Sequence, residues 1–463
     1  MIDPGTVRTA SDLRPSLDRF WGVSAQSLDQ LQQHTDPDAG APVYTVDGRY
    51  TSRGWTEWTQ GFQFGSALLQ FDATDEIRFL ESGRDATLAH MPVHLTHVGV
   101  HDHGFNNVST YGNLWRLAQE HRFETAPAEF AGWELALKVS GAVQAVRWTD
   151  TTEGDGFIHS FNGPHSLFAD TIRSLRSLAL AHQLGHRLLG EHDKPIGLLD
   201  RLVRHARTTA RYNVYYGTGR DLYDVRGRVA HESLFNTSDG HYRCASTQQG
   251  YSPFTTWTRG LAWIMLGYTE LLEFLATLDD SELEPLGGRE SITGMMLEAA
   301  RASCDFYIDT TPTNGIPYWD TGAPGLSKMP DHRDRPADPD NQHEPVDSSA
   351  AAIACQGLLR LGQVLRLSEP DVADGYTRAG LATLATLLEE PYLSTDPAHQ
   401  GLLLHAVYHR PNGWDHVPQG SNIPRGESCL WGDYHLREAA VYAGRLAEGR
   451  NLTFFSADNG DAA

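Results

Sequence analysis

Apolar residues recur at helical spacing along most of this 463-residue chain. The stretches 60–71, 110–121, 126–139, 169–190, 196–211, 257–276, 289–308, 347–366, 372–389 and 427–446 read as helices, and one more is predicted around 13–33. Loops rich in Gly, Pro, Asn and Asp separate them. Strand-like alternation is scarce. Short extended pieces are predicted near 155–160 and 225–231, as small hairpins decorating loops.

The helices fall into two kinds. SSAAAIACQGLLRLGQVL (348–365) is apolar or small on nearly every face, which suits a helix buried on all sides. The stretch 289–308 keeps one polar face and suits an outer layer. Ten or more helices in inner and outer pairs point to an α/α toroid. No strict repeat is present, so a fixed-period solenoid is not expected. The whole chain, 1–463, is read as one such domain. It carries a polar, turn-rich N-terminal extension of about 50 residues and a frayed tail over the last dozen. The longest irregular run, 321–346, is Pro- and Asp-rich and is expected to form a lid or rim.

Composition narrows the function. The net charge of −22 argues against nucleic acid or an anionic membrane as partner. Lysine occurs only at Lys138, Lys194 and Lys328, so arginine carries the positive charge. This bias fits a halophilic source and a GC-rich genome equally well. Cys244, Cys304, Cys355 and Cys429 form no CxxC pair and are expected to be reduced and mostly buried. There is no apolar leader at the N-terminus and no run of about 18 apolar residues, so a cytoplasmic, non-membrane protein is expected.

The chemistry concentrates in HDHGF (101–105) and in Asp170. Paired carboxylates beside histidines suit acid/base work on a sugar. Each acid also has a capping reading, since Asp commonly begins helices and Asp170 stands where an apolar pattern starts. His94, His97, His101 and His103 match no standard metal-ligand spacing, so neither a metal nor a cofactor is assigned. In STQQGYSPFTTWTRGLAWIMLGY (246–268), Arg259 and Trp263 lie four apart on one helix face near Gln249. An arginine, an amide and an indole suit an acidic sugar. Trp-bearing loops at 54–62, 315–324, 408–416 and 427–438 add walls for a carbohydrate cleft. No GxGxxG, Walker loop, GxSxG elbow or zinc spacing is present, which sets aside nucleotide chemistry and serine hydrolysis.

These motifs resemble those of the unsaturated glucuronyl hydrolases, glycoside hydrolase family 88. HDHGF is similar to the family's HDxGF. WTQGFQFG, QGYSPFTTWTRGLAW, GIPYWDTGAP, VDSSAAAIACQGLLRL and ESCLWGDYHLREA are similar to further family motifs, in the same order, over about residues 54–445. The resemblance implies an all-α (α/α)6 barrel with its site at one mouth. It also implies a substrate with a 4,5-unsaturated uronic acid at the non-reducing end, released by hydration of the double bond. By position, Asp170 matches the general acid/base. Asp102 matches an essential partner that holds Asp170 partly protonated by repulsion. Trp58, His101, His231, Gln249, Arg259 and Trp263 match substrate-contacting positions, with His231 resting on spacing alone.

The chain departs from the pattern at His103, at Gln248 and in the length of the 327–345 insert. It also departs at Arg173 and Arg176, which are expected either to meet an acidic aglycone or to lie on the outer surface. A polysaccharide lyase on a similar toroid, an unsaturated rhamnogalacturonyl hydrolase and an inactive sugar-binding module are the alternatives.

Overall fold

A computed structural model describes residues 2–3, 5, 9–35, 40–52 and 57–455. Part of the 54–62 cluster and the end of the expected frayed tail lie outside the described residues. Among those described, the chain builds six helical hairpins. The outer helices are α1 (Arg14–His34), α3 (Ile77–His90), α5 (Pro127–Val146), α7 (Leu198–Tyr212), α9 (Arg289–Thr310) and α11 (Pro370–Leu387). The inner helices are α2 (Gln60–Thr74), α4, α6, α8 (Thr258–Leu275), α10 (Ser348–Leu365) and α12 (Leu430–Ala447). α4 runs in three pieces: His103–Asn107, a π-helical turn Val108–Gly112, and Asn113–Gln119. α6 runs in two, Thr171–Ser174 and Arg176–Gln183. Each inner helix packs against the next, and α12 closes the ring against α2. This is the (α/α)6 toroid.

The layers follow the sequence pattern. Every residue of α8 except Glu273 is buried, and α10 is buried over all but Gln363 and Val364. Each fully buried Leu, Ile or Phe there contributes about 1.5–3 kcal/mol. α9 buries one stripe, including Ile292, Met296, Ala299, Ser303 and Tyr307. The main apolar core runs from Ile2 to Phe455, and Phe157, Leu167 and Phe235 form a small satellite. The first 50 residues are therefore more than an extension. Phe20, Leu28 and Leu31 bury α1 between α2 and α12, where it completes the outer ring. α3 was not expected, because its buried set (Phe79, Leu80, Gly83, Thr87) is only half apolar.

Short strands decorate the loops. β1 (Pro42–Val46) and β2 (Arg49–Ser52) form a hairpin, as do β3 (Trp148–Asp150) and β4 (Gly156–Ile158), and also β6 (Leu188–Leu189) and β7 (Pro195–Ile196). The β6–β7 hairpin takes the place of the last turns expected for the 169–190 helix. β5 (Ser166–Phe168), β8 (Glu232–Phe235) and β9 (Tyr242–Ser246) make a three-stranded antiparallel sheet. The second extended piece thus begins at 232 rather than 225, and Val229 makes only an isolated bridge to Val214. No helix among the described residues is long and apolar enough to cross a membrane.

Candidate active site

Six chain segments enter the inner helices at one end of the toroid, and the conspicuous residues of the sequence sit at those entries. Asp102 precedes α4, Asp170 precedes α6, Arg259 is the second residue of α8 and Asp347 caps α10. Helix N-termini carry partial positive charge, so this mouth favours an anionic ligand. It holds a pocket of about 740 Å³, part of it open solvent. Asp102, His101 and Asp170 lie within it, walled by Trp58, Trp257, Trp263 and Trp414.

Both catalytic candidates occupy N-cap positions, yet neither carboxylate makes a capping hydrogen bond. Asp347, by contrast, accepts from the Ser349 and Ala350 N–H groups as an N-cap should. The capping reading therefore fails for both acids. His101 bridges them: its Nε2 is 3.1 Å from Asp170 Oδ1 and 3.8 Å from Asp102 Oδ1. Among the described residues, no arginine or lysine forms an ion pair with either acid.

Gly104 makes this proximity possible. A Cβ there would lie 2.2 Å from the Ser174 carbonyl oxygen, so only glycine lets α4 approach α6 so closely. The Gly104 N–H donates to Ser174 Oγ at 2.8 Å. Gln144, from α5, donates to the His101 carbonyl and to Ser174 Oγ. The β5–β8 sheet supplies the other half of the frame, because Ala169 N–H donates to the His231 carbonyl and sets His231 beside Asp170.

Burial pushes Asp102 above the usual carboxylate range, and the Asp170 charge adds to this against the opposing pull of His101. Burial also acts to raise Asp170, but the hydrogen bond and charge of His101, with His231 and Arg259 beyond, bring it below that range. Burial disfavours the His101 cation, and the two carboxylates outweigh it, so His101 is raised. This reverses the expectation that Asp102 holds Asp170 protonated. Of the two carboxyls, Asp170 is thus the stronger acid and Asp102 the weaker, with His101 between them.

His231 stands behind the wall rather than in it. Its Nδ1 accepts the backbone N–H groups of Gln248 and Gln249 at 3.0 and 3.3 Å. That fixes the neutral tautomer with hydrogen on Nε2, which is buried and without a partner. Burial brings its pKa down to about 4, in keeping with a permanent neutral donor.

Arg259 lines the pocket but is only 3% exposed, and its fork is engaged by the protein itself. Nη1 donates to Asp347 and to the Val407 carbonyl, and Nη2 donates to Gln249 Oε1 and the Tyr408 carbonyl. Four of its five N–H bonds are occupied in holding pocket walls together. Trp263 forms a wall against Phe105 and His435, and Trp58 stacks on Trp431 at 5.1 Å. Tyr408, His409 and Trp414 also line the pocket, as expected of the 408–416 loop, and so does Phe161, to which sequence reasoning gives no role.

Two other histidines of the 94–103 cluster are held by structural hydrogen bonds. His94 Nε2 pairs with Gln60 at 2.8 Å, while His103 meets Ser140 and the His97 carbonyl. Arg173 and Arg176 lie neither on the surface nor at an aglycone position. They are buried inside the ring, facing Glu270 and Glu438. The 321–346 segment contributes no lining residue. It packs on itself through Leu326, Met329 and Ala337, with Glu344 accepting from Trp319 Nε1 at 2.8 Å.

An inner ring of helices with paired acids at its mouth is an arrangement suited to acid/base chemistry on a sugar. No family model matches the chain. Over 426 residues it is 26% identical to an unsaturated glucuronyl hydrolase of Bacillus sp. (strain GL1), covering 91% of this chain and 93% of the relative. An unsaturated chondroitin disaccharide hydrolase of Streptococcus pyogenes serotype M1 is 23% identical over 405 residues, covering 86% and 84%. The crystal structure of the Bacillus sp. GL1 unsaturated glucuronyl hydrolase superposes with a TM-score of 0.70 at 20% identity, covering 95% of this chain and 98% of that one.

Proposed function

We propose that this protein is an unsaturated glucuronyl hydrolase. It takes oligosaccharides that end in a 4,5-unsaturated uronic acid and hydrates the double bond. The observation that carries this reading is the Asp102–His101–Asp170 cluster on the floor of an aromatic pocket. The pocket walls include Trp263 and Trp58, and the helix N-termini around it suit the uronate carboxylate. Relatives named for unsaturated glucuronyl and chondroitin disaccharide substrates support the same class.

The chemistry requires a proton at carbon 4 and the hydroxyl of water at carbon 5. The product is a hemiketal, which opens and releases the remaining sugar. Asp170 is the general acid and base. In the free site it is ionised against His101. A bound sugar removes water, and a drier site favours the neutral pair over the ion pair, which moves the proton from His101 to Asp170. Asp170 delivers that proton to carbon 4 and takes one back from the attacking water. Asp102, itself raised, adjoins the same imidazole and orients sugar hydroxyls. Gln249, its oxygen held by Arg259 and its backbone N–H by His231, offers its amide N–H groups.

The four free thiols, Cys244 exposed among them, fit a reducing compartment, and we place the enzyme in the cytoplasm. The decisive test is near-ultraviolet absorbance with lyase-generated unsaturated disaccharides. Loss of absorbance, absent in Asp170→Asn, supports the reading. A rise with intact polysaccharide identifies a lyase, and no change with any unsaturated disaccharide removes the reading.

A further inference from the structure

Beside the pocket, three chain segments bring unlike ligand types together. Asp47 sits at the tip of the β1–β2 hairpin, His416 in the loop after Trp414, and Glu427 just before α12. One ligand atom from each lies within 4.8 Å of the others. The hairpin tip is built for this. Asp47 and Gly48 both have positive φ, 50° and 73°, the pair that an Asp-Gly hairpin turn uses. Their two N–H groups donate to Glu427, at 2.9 Å to Oε1 and 3.3 Å to Oε2, and the Thr45 hydroxyl donates to Oε2 as well. Three of the four acceptor positions of this carboxylate are then filled, which leaves one on Oε1.

Glu427 is only 5% exposed, and among the described residues no arginine or lysine pairs with it or with Asp47. The nearby basic groups are imidazoles. His416 Nε2 is 3.2 Å from Asp47 Oδ1, and His399 Nε2 is 3.8 Å from Glu427 Oε2. His399 Nδ1 accepts the Gly401 N–H, so its Nε2 carries hydrogen and faces Glu427 as a donor rather than as a ligand. Two carboxylates and the His416 imidazole form a mixed donor set that prefers a transition-metal dication over magnesium or calcium, which take oxygen ligands.

We propose that Asp47, His416 and Glu427 bind one divalent transition-metal ion of the zinc class, with water as its fourth ligand. The ion would tie the hairpin to the loop that carries Trp414 into the pocket, two residues before His416. Tyr44, on β1, stacks on the pocket residue Tyr408 at 5.8 Å, and Tyr408 meets Trp414 at 5.3 Å. The site is therefore architectural, and it acts on the aromatic wall rather than on the acids.

The test is a titration of the chelator-treated full chain with Co²⁺, read by visible absorbance. The expected result is one equivalent bound, with the intense bands of a four-coordinate site, bleached by one equivalent of Zn²⁺. His416→Ala lies on a surface loop and should leave the fold intact while weakening binding at least tenfold. Asp47→Asn should weaken it similarly. Absence of the bands, or bands of equal strength and midpoint in His416→Ala, would overturn the proposal. The readout does not depend on turnover, so it stands or falls separately from the catalytic reading.

Discussion

Asp170 and Arg173 stand three positions apart on one inner helix, yet opposite electrostatic rules hold them. At the mouth, two buried carboxylates face one imidazole and no arginine forms an ion pair with them. Inside the ring, Arg173 is 2.7 Å from Glu270 and 3.0 Å from Glu438, and Arg360 is 2.6 Å from Glu273. Arg176 joins through Glu438 at 3.5 Å, so three arginines meet three glutamates. The inner set is matched in number: Glu438 at its centre is held well below the usual carboxylate range although burial opposes it, while burial raises Glu273 at its edge to about 7. The outer set is short of positive charge, so it keeps a proton that can move. Unmatched burial makes a reagent, and matched burial makes a fixed part.

Breaking the mouth has the largest expected effect. Asp170→Asn removes the proton carrier but little volume. We expect kcat to fall by about 10²–10⁴-fold, the worth of a positioned acid/base, with binding of unsaturated disaccharide nearly unchanged. Asp102→Asn should be similarly severe. Single-turnover absorbance and calorimetry with the same ligand check both, and near-full turnover of either variant would remove that residue from the mechanism.

Breaking the inner set should instead cost stability. Glu438→Gln leaves Arg173 and Arg176 facing a neutral group, at about 3–5 kcal/mol, read by denaturant unfolding. Glu438 is lowered in the fold, so its contribution is present above the ordinary carboxylate pKa and lost only in strong acid. The gap between wild type and variant should therefore persist through mildly acidic pH. The position of the kcat/KM profile should not move. A shifted profile with unaltered stability would erase the contrast between the two regions.

The two regions also differ in how far the chain reveals them. The mouth was legible because each acid or arginine stands at the start of an inner helix, where HDHGF, FAD and WTRGLAW give local patterns. The inner and outer layers were legible from the all-round apolar 348–365 against the one-sided 289–308. The arginine network was not, because Arg173 and Arg176 find their glutamates on α8 and α12, far along the chain. A basic residue in an apolar run reads locally as surface. α3 was missed for the reverse reason: Arg78, Glu81, Arg84 and Asp85 dominate a helix that buries only four side chains. The three-stranded sheet that seats His231 has strands of three to five residues, too short to show a period.

His101 sharpens the comparison, since it alone joins the two mouth carboxylates. Its pKa is raised above 6.5, so the proton source is present below that raised value and lost as pH climbs through it. The alkaline limb of kcat/KM should therefore lie above pH 6.5. In His101→Gln the titrating group becomes a carboxyl, whose ordinary value is near 4, so the limb should move to lower pH and kcat should fall about tenfold or more. An unmoved limb would show that another group supplies the proton.

Arg259 gives the smallest expected effect and the finest distinction. If it met substrate as a charge, Arg259→Lys would keep that charge and most of the affinity. The geometry argues otherwise, because its fork joins Asp347, Gln249 and the Val407 and Tyr408 carbonyls at once. A lysine has no fork and cannot span those four acceptors. It should free the Gln249 amide and the 407–409 backbone, and so loosen two walls of the pocket. We expect KM to rise about tenfold with kcat falling less, and the pH profile to stay in place, because neither acid is touched. Arg259→Ala should be worse, since it also leaves Asp347 buried without its ion-pair partner. A lysine variant with wild-type KM would return Arg259 to the role of a simple charge, and the mouth would then be less starved of cations than its geometry indicates.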